Sequence, residues 1–319
     1  MSIRIAFLFP GQGSQTVGMG RELAERFPVA RDTFAEADEA LGFPITKLIY
    51  EGPEADLKLT ENTQPAILTA SIATLRVMAL HGIEPTLAAG HSLGEWSAHV
   101  AAGTISFADA VRSVKARGRA MQMAVPAGQG AMAAILSLAP ELVVEICAEA
   151  ARETGLVVSA ANFNAPGQTV ISGALAAVEK ASELAKAKGA KRAIMLPVSA
   201  PFHCALMKPA QEEVARVLGD LTLADPRIPV AANVTGGLVT TAAEVRDVLT
   251  RQVTGAVRWV DCMKTLIGAG IQAFIEFAPG MVLCGLLKQI DPEHKALNVE
   301  DAASLEKTLT ELKAVESGA

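Results

Sequence analysis

Short apolar runs alternate along this chain with longer stretches whose apolar residues recur every three or four positions, as buried strands alternate with amphipathic helices. Ile3 to Phe9 is the first run; it stops at Pro10-Gly11-Gln12-Gly13, and a helical pattern follows around Met19 to Phe27. Further strand candidates are Leu87 to Ala89, Ala193 to Val198, Val230 to Asn233, Ala273 to Phe277 and Ala296 to Val299, most of them ending in glycine, proline or polar residues. This alternation predicts an α/β fold with a largely parallel sheet, in which ligands gather at the carboxyl ends of the strands.

One segment departs from that rhythm. After the turn cluster Pro126-Ala127-Gly128-Gln129-Gly130 the pattern reads strand (Ala131 to Leu136), helix (Pro140 to Glu153), strand (Leu156 to Ala161), strand (Thr169 to Ser172), helix (Leu175 to Lys188) and strand (Arg192 to Leu196). The order βαββαβ is the ferredoxin-like split unit. It predicts a small domain over 128–197 inserted into a larger one made of 1–127 and 198–319, with a cleft between them suited to a small molecule.

Composition narrows the function. The chain has 319 residues, half of them hydrophobic, enough for a large core. A net charge of −6 with scattered Lys and Arg argues against nucleic acid or an anionic membrane as partner. Cys147, Cys204, Cys262 and Cys284 show neither CxxC nor Cys/His spacing, so no metal site and no disulfide framework are expected. The apolar start is too short for a signal peptide and no later run would span a bilayer, so the expectation is a cytoplasmic protein, with a monomer as the default for an oligomeric state the sequence leaves open.

Gly90-His91-Ser92-Leu93-Gly94 fits the nucleophile-elbow pattern GxSxG, with a strand candidate before it and a helix candidate, Glu95 to Ala102, after it. The pattern alone also fits a glycine-rich turn. A nucleophilic serine needs a base, and the chain has five histidines. His81 ends a helical run, His91 is directed away by the elbow, and His99 is seven residues along the same helix, about 10 Å from Ser92. His203, after Ser199-Ala200-Pro201-Phe202, is the leading candidate, and His294 in a charged turn is the rival. The oxyanion would be held by the backbone N–H groups of Leu93 and of Gln12 in the first turn.

Arg117 stands out among the charges. On a helix from Phe107 to Val125, Val111, Val114, Gly118, Met121 and Val125 form one apolar face, and Arg117 lies within about 60° of its centre at 100° per residue. A guanidinium so placed is buried and needs an anion, either a substrate carboxylate or a protein Asp or Glu.

Taken together, Pro10-Gly11-Gln12-Gly13-Ser14-Gln15, Gly90 to Glu95, Arg117-Gly118, the run Asn162 to Gly173, Pro201-Phe202-His203 and Val257-Arg258-Trp259 resemble malonyl-CoA:acyl-carrier-protein transacylases over nearly the whole chain. The resemblance implies an α/β-hydrolase-like large domain carrying the ferredoxin-like insert, and no permanently bound cofactor. It implies malonyl-CoA as substrate, the phosphopantetheine of acyl carrier protein as acceptor, and fatty acid biosynthesis, or polyketide or malonate-decarboxylase carrier loading, as the setting. By the same resemblance Ser92 is the nucleophile, His203 the base, Gln12 and Leu93 the oxyanion donors, and Arg117 the partner of the malonyl carboxylate. Gln252 would orient His203 through its backbone carbonyl, and Phe202 marks malonyl selection. Trp96, Cys204 and Ala256 stand where tyrosine, serine and proline are common, the first two close enough to bear on acyl selectivity. An esterase or thioesterase using the same elbow, and a catalytically silent carrier-binding module, are the competing readings.

Overall fold

The computed structural model describes residues 3–198 and 200–317, so Ser199 of the predicted His203 turn lies outside the described residues. Ten strands form two sheets: β1 (Ile5–Phe9), β2 (Leu87–Gly90), β3 (Gly130–Leu136), β4 (Val158–Ala165), β5 (Gln168–Ala174), β6 (Arg192–Met195), β7 (Val230–Ala231), β8 (Leu238–Val239), β9 (Ala273–Phe277) and β10 (Lys295–Val299). The six-stranded sheet has the order β10-β9-β1-β2-β7-β8 and is parallel except for β8. All five residues of β1 are buried, as the central strand of a sheet covered on both faces requires.

The second sheet, β4-β5-β3-β6, is antiparallel throughout, and the helices Pro140–Thr154 and Leu175–Ala187 pack on one of its faces. This is the βαββαβ unit read from the sequence, with edges shifted by a few residues. β4 runs on to Ala165 because two register irregularities, at Ala160/Asn162 and Phe163/Ala165, let it follow β5 past the point where its alternation fails. β6 ends at Met195 rather than at Leu196 or Val198, and those two residues turn into the cavity described below.

Val257 bonds the edge of the four-stranded sheet. Its N–H donates to Ala161 O at 2.8 Å, and its carbonyl accepts from Phe163 N–H at 2.9 Å. The Val-Arg-Trp motif is thus a backbone splice that pins β4 beside the helix Trp259–Gly268. Among the described residues no helix is long and apolar enough to cross a membrane.

Candidate active site

The site forms where β1, β2 and β7 end. Parallel register sets Phe9 beside Gly90, so the turns after both strands emerge together. Ser92 follows with φ 51° and ψ −102°, strained for a side chain with a Cβ, and opens the helix Leu93–Ala101. Both glycines of the motif are sterically required: a Cβ on Gly90 would lie 1.9 Å from the backbone of Gly94, and one on Gly94 would lie 2.0 Å from Phe9 O. The elbow is held from outside by Asn233, which β7 releases by ending at Ala231. Asn233 Oδ1 accepts from Ser92 N–H at 2.7 Å and its Nδ2 donates to Gly90 O at 2.8 Å.

His203 meets the serine. Its Nε2 is 2.7 Å from Ser92 Oγ, and its Nδ1 is 2.8 Å from Gln252 O. A carbonyl only accepts, so Nδ1 carries the proton and Nε2 offers its lone pair to the hydroxyl. Burial, reinforced by the charge of Arg117, lowers the His203 pKa to about 3, so the ring is neutral at physiological pH. The backbone at His203 also has positive φ, 59°. The rival His294 pairs with Asp291 and precedes β10, whose first residue aligns with Ala273 at the start of β9. Since β9 and β1 are parallel, that is the end of the sheet opposite Ser92.

Arg117 is 1 % exposed. Its Nη1 donates to Gln64 Oε1 at 2.8 Å, its Nη2 donates to Gln252 Oε1 at 2.8 Å and to Ser92 Oγ at 3.2 Å, and Nε has no partner among the described residues. Its acceptors are thus neutral oxygens, and the internal ion pair allowed by periodicity does not form. Burial lowers its pKa to about 10, which leaves it charged.

Gln252 ties these groups together: its carbonyl holds His203, its Oε1 holds Arg117, and its Nε2 donates to Ser92 O at 2.8 Å and to Glu95 Oε2 at 2.6 Å. Sequence reading anticipated only the first of these contacts. It missed Glu95, Asn233 and Gln64 altogether. The available signals were a carboxylate and a carboxamide at buried positions of the helices Leu93–Ala101 and Thr60–Ala79, and an asparagine ending a strand on the Ser92 side of the sheet.

A cavity of about 180 Å³ opens over Ser92, with Gln12, Leu93, His91, Asn162 and Phe202 among its walls. The N–H groups of Gln12 and Leu93 have no acceptor among the described residues, as donors awaiting an oxyanion would be. His91 is directed away from Ser92, as expected of the elbow, but it stays in the site. The irregular stretch of β4 brings Asn164 to within 2.8 Å of its Nε2, and Trp259 packs against the ring, so His91 walls the cavity. Trp96 is buried in the core and Cys204 bonds Pro201 O, and neither reaches the cavity.

Residues 6–316 match the acyl transferase domain family. The malonyl CoA-acyl carrier protein transacylase of Bacillus subtilis is 49 % identical over 97 % of this chain and 98 % of that protein. The crystal structure of an acyl-carrier-protein S-malonyltransferase from Burkholderia pseudomallei has a TM-score of 0.93 at 48 % identity, covering 97 % of this chain and all of that one. A malonyl-transacylase solved in complex with a type II polyketide acyl-carrier protein has a TM-score of 0.94 at 46 % identity, covering 97 % and 99 %. With the elbow, the histidine and the buried arginine in one cavity, and similarity over almost its whole length, this chain belongs to the acyl transferase domain family, beside the malonyl CoA-acyl carrier protein transacylases.

Proposed function

We propose that this chain moves a malonyl group from malonyl-CoA to the phosphopantetheine thiol of an acyl carrier protein through an ester on Ser92. The observation that carries the reading is the charged, buried Arg117 with no carboxylate in contact with it among the described residues, standing 3.2 Å from Ser92 Oγ. The malonyl carboxylate lies two bonds beyond the carbonyl carbon that a serine would attack, so a cation that serves it must stand beside the nucleophile.

In the first half-reaction His203 Nε2 takes the Ser92 proton as Oγ attacks the thioester carbonyl. The N–H groups of Gln12 and Leu93 hold the oxyanion, and collapse expels coenzyme A, which leaves with the proton from His203. In the second half His203 deprotonates the carrier's thiol, which attacks the ester, and Ser92 recovers its proton. Gln252 keeps the imidazole in the tautomer both halves need. An acetyl group would leave the Arg117 charge unanswered, which disfavours it.

The setting that fits is fatty acid biosynthesis in the cytoplasm: the relatives' names pair malonyl-CoA with acyl carrier protein, and four buried cysteines carry free thiols. The solved relative bound to a polyketide carrier supports carrier loading of that kind as the second setting. The segment 128–197 serves as the small domain that closes the cavity, with 1–127 and 198–319 as the larger one, in a monomer.

Initial rates with malonyl-CoA and carrier protein varied together test the scheme. Parallel double-reciprocal lines and malonyl recovered on the carrier are expected. Rapid release of coenzyme A with free malonate in the absence of carrier would instead mark a thioesterase, and absence of both products a silent binding module.

A further inference from the structure

Glu95 lies one helical turn after Ser92 and is wholly buried. Its Oε2 accepts from Gln252 Nε2 at 2.6 Å and from Asn233 N–H at 3.2 Å, while Oε1 has no partner among the described residues. A buried carboxylate with an idle oxygen is costly unless a positive charge acts on it. Arg117 is that charge, and the two attract one another without touching. Between them stands the Gln252 side chain, its Nε2 on the carboxylate and its Oε1 on the guanidinium.

We propose that Glu95 is the resident counter-charge of Arg117 and a positioning residue for acyl binding, coupled to it through the Gln252 amide, so that no protein carboxylate contends with the substrate's for the guanidinium, whose partners Gln64, Gln252 and Ser92 are all neutral. This rests on the reading of Arg117 given above. A direct Glu95–Arg117 pair would be bidentate, and a malonyl group would have to displace it. Held one amide away, Glu95 still stabilises the buried cation but occupies none of the donors facing Ser92. The same negative charge opposes a second carboxylate, so Glu95 weakens the hold on the malonyl group and eases its release to the carrier.

The titratable groups that act on Glu95 are Arg117 from the helix Phe107–Met123 and Cys262 from the helix Trp259–Gly268; His99, neutral by burial, shares its own helix, and His91 and His203 line the cavity. Burial keeps both histidines neutral and raises Cys262 above the thiol range, so Arg117 and Glu95 carry the charge. Burial also raises the Glu95 pKa to about 7, so its charge is present at pH 8 and mostly lost at pH 6.

The test is rapid-quench acylation of the full chain, read by intact mass, with malonyl-CoA and with acetyl-CoA as a reference that shares the coenzyme's phosphates. Glu95→Gln keeps an acceptor for Gln252 and removes the charge. Relative to acetyl-CoA, its half-saturating malonyl-CoA concentration at pH 8 should fall about tenfold, the order expected of one charge at short range in a protein interior. Its maximal rate should fall as well. The native chain should move the same way between pH 8 and pH 6, and the variant should not. A folded variant whose relative half-saturation is unchanged or higher overturns the proposal. If the variant does not fold, a native ratio that stays flat from pH 8 to pH 6 overturns it. A native chain that forms no malonyl ester would instead overturn the reading of Ser92 and Arg117 itself.

Discussion

In the four-stranded sheet, neighbouring residues divide their work by the period of two. Ile171 of β5 packs among Val143, Ile146 and Val178 under the two helices, while Val170 faces the cavity. The carboxyl end of the six-stranded sheet keeps no such period. Ser92 and His203 sit at positive φ, the Arg117 Nε and Glu95 Oε1 are buried without partners among the described residues, and the groups around Ser92 come from positions 12, 64, 117, 203, 233 and 252. The difference teaches where stability and chemistry reside: regular packing supplies the frame, and the strained polar cluster at the strand ends is held in place by it.

The comparison breaks most sharply at the base. His203→Ala should slow acylation of Ser92 by about 10³-fold, the usual scale for a positioned general base, with the unfolding midpoint little lowered. Equal losses of activity and of folded protein would mean that the polar cluster is part of the frame. Arg117→Ala should reduce the preference for malonyl-CoA over acetyl-CoA by about 10²-fold, since a charge-assisted pair is lost with malonyl and an unanswered charge is relieved with acetyl. An unchanged ratio in competition experiments would remove Arg117 from acyl recognition.

Acid sharpens the contrast between a buried histidine of the frame and the one at the site. His99 is buried with neither ring nitrogen bonded among the described residues, and burial alone lowers its pKa to about 3, the same value that His203 reaches. Both histidines are ordinary bases once the chain unfolds, so the unfolded state takes up protons below about pH 6.5 that the folded state refuses. Stability should therefore be full above that pH and drain away as pH falls toward 3. Melting temperatures recorded across this window should fall less steeply in His99→Leu than in the native chain; an identical slope would refute the assignment. The smallest effect belongs to the frame: Ile171→Val should cost about 1 kcal/mol of stability, read by denaturant unfolding, and leave the malonyl transfer rate per folded molecule unchanged.

Much of this division was legible in the sequence. Both glycines of the elbow and the alternation of strand and helix are local signals, and the burial of Arg117 followed from helical period alone because its helix packs on one face. What stayed hidden depends on how distant strands end. β7 pairs with β2 over only two residues, which frees Asn233 for the elbow, and nothing in its own neighbourhood marks that early stop. Glu95 and Gln64 stayed hidden for another reason: their partners, Gln252 and Arg117, lie far along the chain, so nothing local tells either from any other polar residue of its helix. The place of His91 in the cavity wall was not legible, because the irregularity in β4 that brings Asn164 to it is set by tertiary pairing with β5 and by the Val257 splice.

The most direct test of the central claim is the intact mass of the chain after brief exposure to malonyl-CoA without carrier, beside Ser92→Ala. The account predicts a single malonyl adduct on the native chain, little adduct from acetyl-CoA, and none on the variant. A malonyl adduct that persists in Ser92→Ala, or release of coenzyme A with no adduct on the native chain, would contradict it.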